Sequence, residues 1–161
     1  MKTLWMTTAL LLALGGCARV FVMPRPATET FTSVPGTRFQ KLGSIAGTDS
    51  RAARRLSANV RAELTRAGIN VEPKTGRWDS EQSASADICT RADHPVDGLL
   101  ILSAAEFRLI DCESRKLAYG VEGDPAAGGP GITEMTRRLI DYLQGRSGPG
   151  ATEQPRPVAA R

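Results

Sequence analysis

The run Gly98-Leu99-Leu100-Ile101-Leu102 is apolar at successive positions, so a strand built from it has both faces in need of cover. It reads as a central strand. The pattern continues through Glu106, Phe107, Arg108 and Leu109, which alternate as a strand with one wet face does, and the predicted strand therefore extends from Gly98 to Asp111. A turn at Glu113-Ser114-Arg115 leads to "KLAYGVE", where Leu117, Tyr119 and Val121 share a face, which makes the two strands a hairpin.

Upstream, "RFQKLGSIAG" predicts a strand over Phe39–Ala46, followed by a helix from about Ser50 to Ala67 with Asp49 or Ser50 as N-cap. At about 100° per residue Ala53, Leu56, Val60, Leu64 and Ala67 fall in one sector. Gly68 stands where a left-handed C-cap is wanted, and Ile69 can fold back on Leu64. A short strand over Ile69–Glu72, a polar loop, a brief helix over Ala84–Ala92 and a closing helix over Ile132–Gln144 complete the series. The expected class is α/β (α+β): a mixed sheet of about four strands, joined by right-handed crossovers and packed by two main amphipathic helices.

The chain opens Met1-Lys2 and then carries no charge from Thr3 to Leu14, a run inside the range of a secretory apolar region and short of the roughly 20 residues a span needs. Leu14-Gly15-Gly16-Cys17 follows, and this order resembles the lipobox of bacterial lipoproteins. The resemblance implies that Cys17 takes a diacylglyceryl group on its thiol, that cleavage precedes it, and that its freed amine receives a further acyl chain. With Ala18 rather than aspartate after the cysteine, it also implies the periplasmic face of the outer membrane over the inner membrane. An ordinary signal peptide cut near Ala18, with Cys17 incidental, is the other reading.

The organisation expected is a signal peptide over 1–16, a lipidated tether over 17–37, a periplasmic domain over 38–144 and a disordered tail over 145–161. The tether and tail rest on their prolines and glycines. The amphipathic helix ending "AELTRAGINV", the "VDGLLIL" strand and the closing helix are similar to those of small periplasmic α/β modules, such as the TolB amino-terminal domain and the curli-secretion lipoprotein.

Once Cys17 is committed, Cys89 and Cys112 remain: a disulfide in an oxidising compartment, or two buried thiols. If Gly98–Asp111 is one strand, Cys112 lies at its far end and Cys89 must run back along it to pair. His94 is the only histidine, and Cys89, Asp93, His94 and Asp97 match no standard zinc spacing, so neither metal nor cofactor is expected. No serine sits in a G-x-S-x-G or S-x-x-K motif, and the "GGPG" before Ile132 lacks the lysine of a phosphate-binding loop.

One surface is patterned. Arg51, Arg54, Arg55, Arg61 and Arg66 lie opposite the apolar sector of the first helix, either as ordinary solvated surface or as a docking face for an anionic lipid, a glycan or an acidic protein. A net charge of +4 without clustering, together with the export signal, argues against nucleic acid. The function expected is therefore a non-catalytic binding or accessory domain in an envelope assembly or transport complex. Its partners are the membrane through Cys17 and an envelope complex or anionic surface. An envelope hydrolase with an active site not legible in the sequence is the alternative.

Overall fold

The computed structural model describes residues 27–47, 50–76, 78–93, 95–124 and 129–149. They form a six-stranded mixed sheet and three helices. In chain order these are β1 (Thr28–Phe31), a 3-10 turn (Gly36–Arg38), β2 (Leu42–Ala46), α1 (Arg51–Arg66), β3 (Val71–Pro73), α2 (Glu81–Ile88), β4 (Gly98–Leu102), β5 (Glu106–Asp111), β6 (Lys116–Glu122) and α3 (Gly129–Leu143). Across the sheet the order is β1-β6-β5-β4-β2-β3, with β2 parallel to β3 and β4 and the remaining neighbours antiparallel. No helix among the described residues is long and apolar enough to cross a membrane.

The layering follows from crossover handedness. The chain steps outward from β2 to β3 and then back past β2 to β4. Two right-handed crossovers of opposite direction put their helices on opposite faces. Accordingly Val60 and Leu64 of α1 pack with Leu100, Leu102 and Leu109 on one face, joined by Met135 and Leu139 of α3. Ala84 and Ile88 of α2 pack with Ile45, Leu99 and Ile101 on the other. The both-face apolar character of β4 is thus used in full, and every residue of that strand is buried.

The helix boundaries obey local chemistry. Ser50 caps α1 by accepting a 3.0 Å bond from the Ala53 amide, and Gly68, at φ +80°, reverses the chain so that the Ile69 amide reaches the Leu64 carbonyl at 2.9 Å. Ser80 caps α2 in the same way, which sets its start upstream of the expected Ala84.

Three expectations need correction. The sheet has six strands rather than about four, in part because the expected strand Gly98–Asp111 is two. Ser103 closes a hairpin between them: its hydroxyl donates to the Glu106 carbonyl at 2.9 Å and accepts from the Glu106 amide at 3.0 Å. A serine side chain does here what glycine or asparagine usually does, and no such residue marks the turn. The segment 17–37 is not all tether, since β1 and most of the 3-10 turn come from it. β1 is held by antiparallel pairing to β6, with Glu29 opposite Val121 and Phe31 opposite Tyr119. Nor is 145–161 wholly a free tail. Gly145, at φ +71°, turns the chain after α3, and the Arg146 and Ser147 amides bond the Asp141 carbonyl. Residues 150–161, like residues 1–26 with the expected signal segment and Cys17, lie outside the described residues.

β3 forms one edge. The Leu42 amide bonds the Asn70 carbonyl and the Lys74 amide bonds the Ser44 carbonyl, so residues 70 and 74 face β2 and Val71 and Pro73 face outward. Proline's missing donor therefore costs the sheet no ladder bond.

Candidate functional site

The arginines of α1 divide into two groups. Arg51, Arg54 and Arg55 are exposed in the first turns, and the first turn of the helix carries no acidic residue. Arg61 is half-buried on the flank of the apolar sector, and its Nη1 donates to Ser57 Oγ at 3.1 Å. Arg66 pairs with Glu63 at 2.5 Å. The five arginines expected as one docking face thus differ in setting, with Arg51, Arg54 and Arg55 exposed together at the N-terminal end. A helical wheel gives angle, not partner, and does not show that Ser57 engages Arg61 or that Glu63 engages Arg66.

On the opposite sheet face α2 covers β4 but leaves the β5–β6 side open. A groove of about 600 Å³ results, lined by Glu81, Ser85, Arg108, Ile110, Arg115 and Leu117 among others. Arg108 reaches Glu81 and lies 3.5 Å from Glu106 Oε1. Glu106 stands opposite Glu122 in the β5–β6 register, and its carboxyl is pushed above the usual carboxylate range. Burial is the main cause, Glu122 and Glu81 add to it, and Arg108 opposes. The Ser85 hydroxyl lies 3.8 Å from the Cys89 sulfur rather than beside a base. The groove offers an apolar floor of Ile110 and Leu117 with walls of mixed charge, an arrangement suited to binding. Nothing in the sequence links α2 to β5 and β6, so reading along the chain misses it.

A third polar constellation ties β1 to α3. Tyr119 donates to Glu29 Oε1 at 2.8 Å, Arg138 donates to Glu29 Oε2 at 2.8 Å and to Glu134 Oε1 at 2.7 Å, and Arg137 bridges Glu134 and Asp141. The Tyr119 and Tyr142 rings stack at 4.4 Å beside it. Burial and the Glu29 hydrogen bond push the Tyr119 hydroxyl far up, so it stays protonated. Bonds from Arg137 hold the Glu134 carboxyl down to about 2, against burial and with help from Arg138. A carboxyl with a depressed folded pKa stabilises the fold fully above its unfolded value, here 4.5, and loses that contribution as pH falls toward about 2. Glu134 is 37% exposed, so solvent screening keeps the effect modest. Glu134→Gln should therefore flatten the acid limb of a stability–pH curve between about pH 5 and pH 2. An unchanged limb in chemical denaturation series would contradict this role.

Cys89 and Cys112 form a disulfide with Cα atoms 5.0 Å apart. The hairpin at Ser103 makes this simple, because it returns β5 so that Asp111 lies opposite Gly98 at the start of β4. Cys89 has no need to run back along a long strand. The bond also removes Cys89 from any metal set, and Asp97 Oδ2 is engaged by the Gln40 and Lys41 amides at 2.9 Å. His94 lies outside the described residues, and among those residues no cluster that could hold a metal ion occurs.

Comparison with models of known protein families gives no match, and comparison with curated proteins gives none. Among solved structures, a PelC dodecamer from Paraburkholderia phytofirmans, bearing a single leucine-to-methionine change, is similar over 76% of this chain and 99% of that one, at 15% identity and a TM-score of 0.48. A second PelC dodecamer from Paraburkholderia phytofirmans covers 80% and 98%, at 13% identity and a TM-score of 0.39. Histidyl-tRNA synthetase from Nostoc sp. PCC 7120 is similar over 67% of this chain but only 24% of its own, at 20% identity and a TM-score of 0.36. Likenesses at this level assign neither family nor function.

Proposed function

We propose that this protein is an outer-membrane-anchored lipoprotein whose periplasmic domain acts by binding, as an accessory of an envelope assembly or transport complex. The observation that carries the reading is Leu14-Gly15-Gly16-Cys17 at the end of an uncharged apolar run. The small residues suit a signal peptidase cleft, and the cysteine supplies the thiol that acylation requires. The Cys89–Cys112 bond supports export, since such bonds persist in oxidising compartments. A binding role is supported by the groove, where the Arg108–Glu81 pair and Arg115 stand beside the apolar Ile110 and Leu117.

Cys17→Ala tests the anchor. The wild type should incorporate labelled palmitate and fractionate with the outer membrane, while the variant takes up no label and accumulates as a full-length precursor. A variant that is still cut and released as a soluble periplasmic protein would show that the motif is not a lipobox.

A further inference from the structure

We infer that Arg51, Arg54 and Arg55 rest on the anionic headgroups of the leaflet that holds the acyl chains of Cys17, so that the domain stands with the carboxyl ends of β2 and β4 toward the bilayer. This inference builds on the anchored-lipoprotein reading.

The sheet register brings the two features to one end of the molecule. Thr28, where the chain from Cys17 joins the fold, lies opposite Glu122, and Glu122 lies opposite Glu106. One position along, Phe107 lies opposite Leu102, and Leu102 lies opposite Ala46 at the end of β2. α1 starts at Arg51, just beyond that strand end. The exit of the tether and the arginine patch therefore share one end of the sheet, separated laterally by the four strand spacings from β1 to β2, about 19 Å.

The chain between Cys17 and Thr28 is short. Its ten residues, Ala18 to Ala27, span at most roughly 35–40 Å even fully extended. A domain held this closely meets the bilayer at high effective concentration, so contacts too weak to capture it from solution suffice to orient it. The tether is also long enough to cover the lateral offset.

Charge then selects the side. Positive groups at a helix N-terminus oppose its dipole, and α1 opens with Arg51, Arg54 and Arg55 and no acid in its first turn. That placement works against the helix and is favourable toward an external anion. Arg61 and Arg66 lie farther from this end and turn toward Ser57 and Glu63. Glu106 and Glu122 also lie at this end. They alternate with Phe107 and Val121, which face the α1 and α3 layer, so their side chains occupy the other sheet face, away from the arginines.

The test uses the full chain purified from a lipoprotein-processing bacterium, placed in vesicles of phosphatidylcholine alone or with phosphatidylglycerol. A fluorophore sits at Ala52→Cys beside the patch, or at Ser114→Cys at the far end of the sheet, and a quencher is carried on the lipid headgroups. In phosphatidylglycerol vesicles position 52 should be quenched and position 114 should not. Combined Arg51→Glu, Arg54→Glu and Arg55→Glu should reduce quenching at position 52 about tenfold or more, as should raising salt toward 1 M, where the screening length falls to about 3 Å. Thermal unfolding checks that the triple variant folds, and it should be no less stable than wild type because acids now meet the helix N-terminus. Equal quenching at 52 and 114, or quenching at 52 that ignores lipid charge, would overturn the inference. Intact mass reports acylation separately. An unacylated chain defeats the anchor reading alone; the same chain held to the vesicle by a hexahistidine tag at its amino end on a nickel-chelating lipid then decides the docking face by the same quenching comparison.

Discussion

Reducing the Cys89–Cys112 bond should destabilise the domain by about 3 kcal/mol, the closure entropy of a loop with its 23-residue separation. At the scaling of a domain this size that is a fall in melting temperature of roughly 10 °C. Cys112→Ser should reproduce the loss without reductant. The effect has a local component too. α2 has only eight residues, below the length at which a helix holds by itself, and it meets the sheet through few residues, chiefly Ala84 and Ile88. Cys89 follows α2 directly and Cys112 follows β5 directly, so the bond pins the end of the weakest helix to the sheet. Amide exchange should rise first over 81–88 on reduction. Equal melting temperatures with and without reductant, in chains with and without the bond, would refute this account.

Gly36→Ala should be nearly as damaging, at about 2–3 kcal/mol. A methyl group at this position would sit 2.0 Å from the Tyr142 carbonyl oxygen and 2.5 Å from its carbon, both in the backbone of α3, so no rotamer change relieves it. The 3-10 turn must move off α3, and with it the Tyr142 hydroxyl loses its 2.7 Å bond to the Val34 carbonyl. Gly120→Ala is the matched control. Its added methyl would meet only side-chain atoms at 3.7 and 3.8 Å, so it should be neutral or slightly stabilising through the unfolded chain. Urea unfolding of the two variants separates the outcomes. If Gly36→Ala proves as benign as Gly120→Ala, the segment before β2 is not packed against α3.

Sequence reading succeeds where the signals are local and fails where the partners are distant in the chain. α1 is legible because its signals are local: the Ser50 cap, the spacing of Val60 and Leu64, and the Gly68–Ile69 reversal all lie within one stretch of chain. The disulfide is legible by counting, but its geometry is obscured by a turn that Ser103 makes without glycine or proline. β1 is hidden because prolines dominate the composition around it, while the groups that fix it, Tyr119 and Arg138, are about a hundred positions away. The groove is illegible for the same reason. It exists only once α2 is laid beside β5 and β6, and periodicity likewise does not mark Ser57 and Glu63 as the partners of Arg61 and Arg66.

The outward-facing proline of β3 bears on how such chains coexist. Open sheet margins invite another copy to add its own strand, and crowding multiplies the encounters. At this margin an incoming backbone finds a donor at Val71 and none at Pro73, over a strand only three residues long. The opposite margin, β1, offers four residues. Neither length supports edge-to-edge joining of sheets into a fibre, so copies packed side by side should remain separate molecules rather than templates for one another.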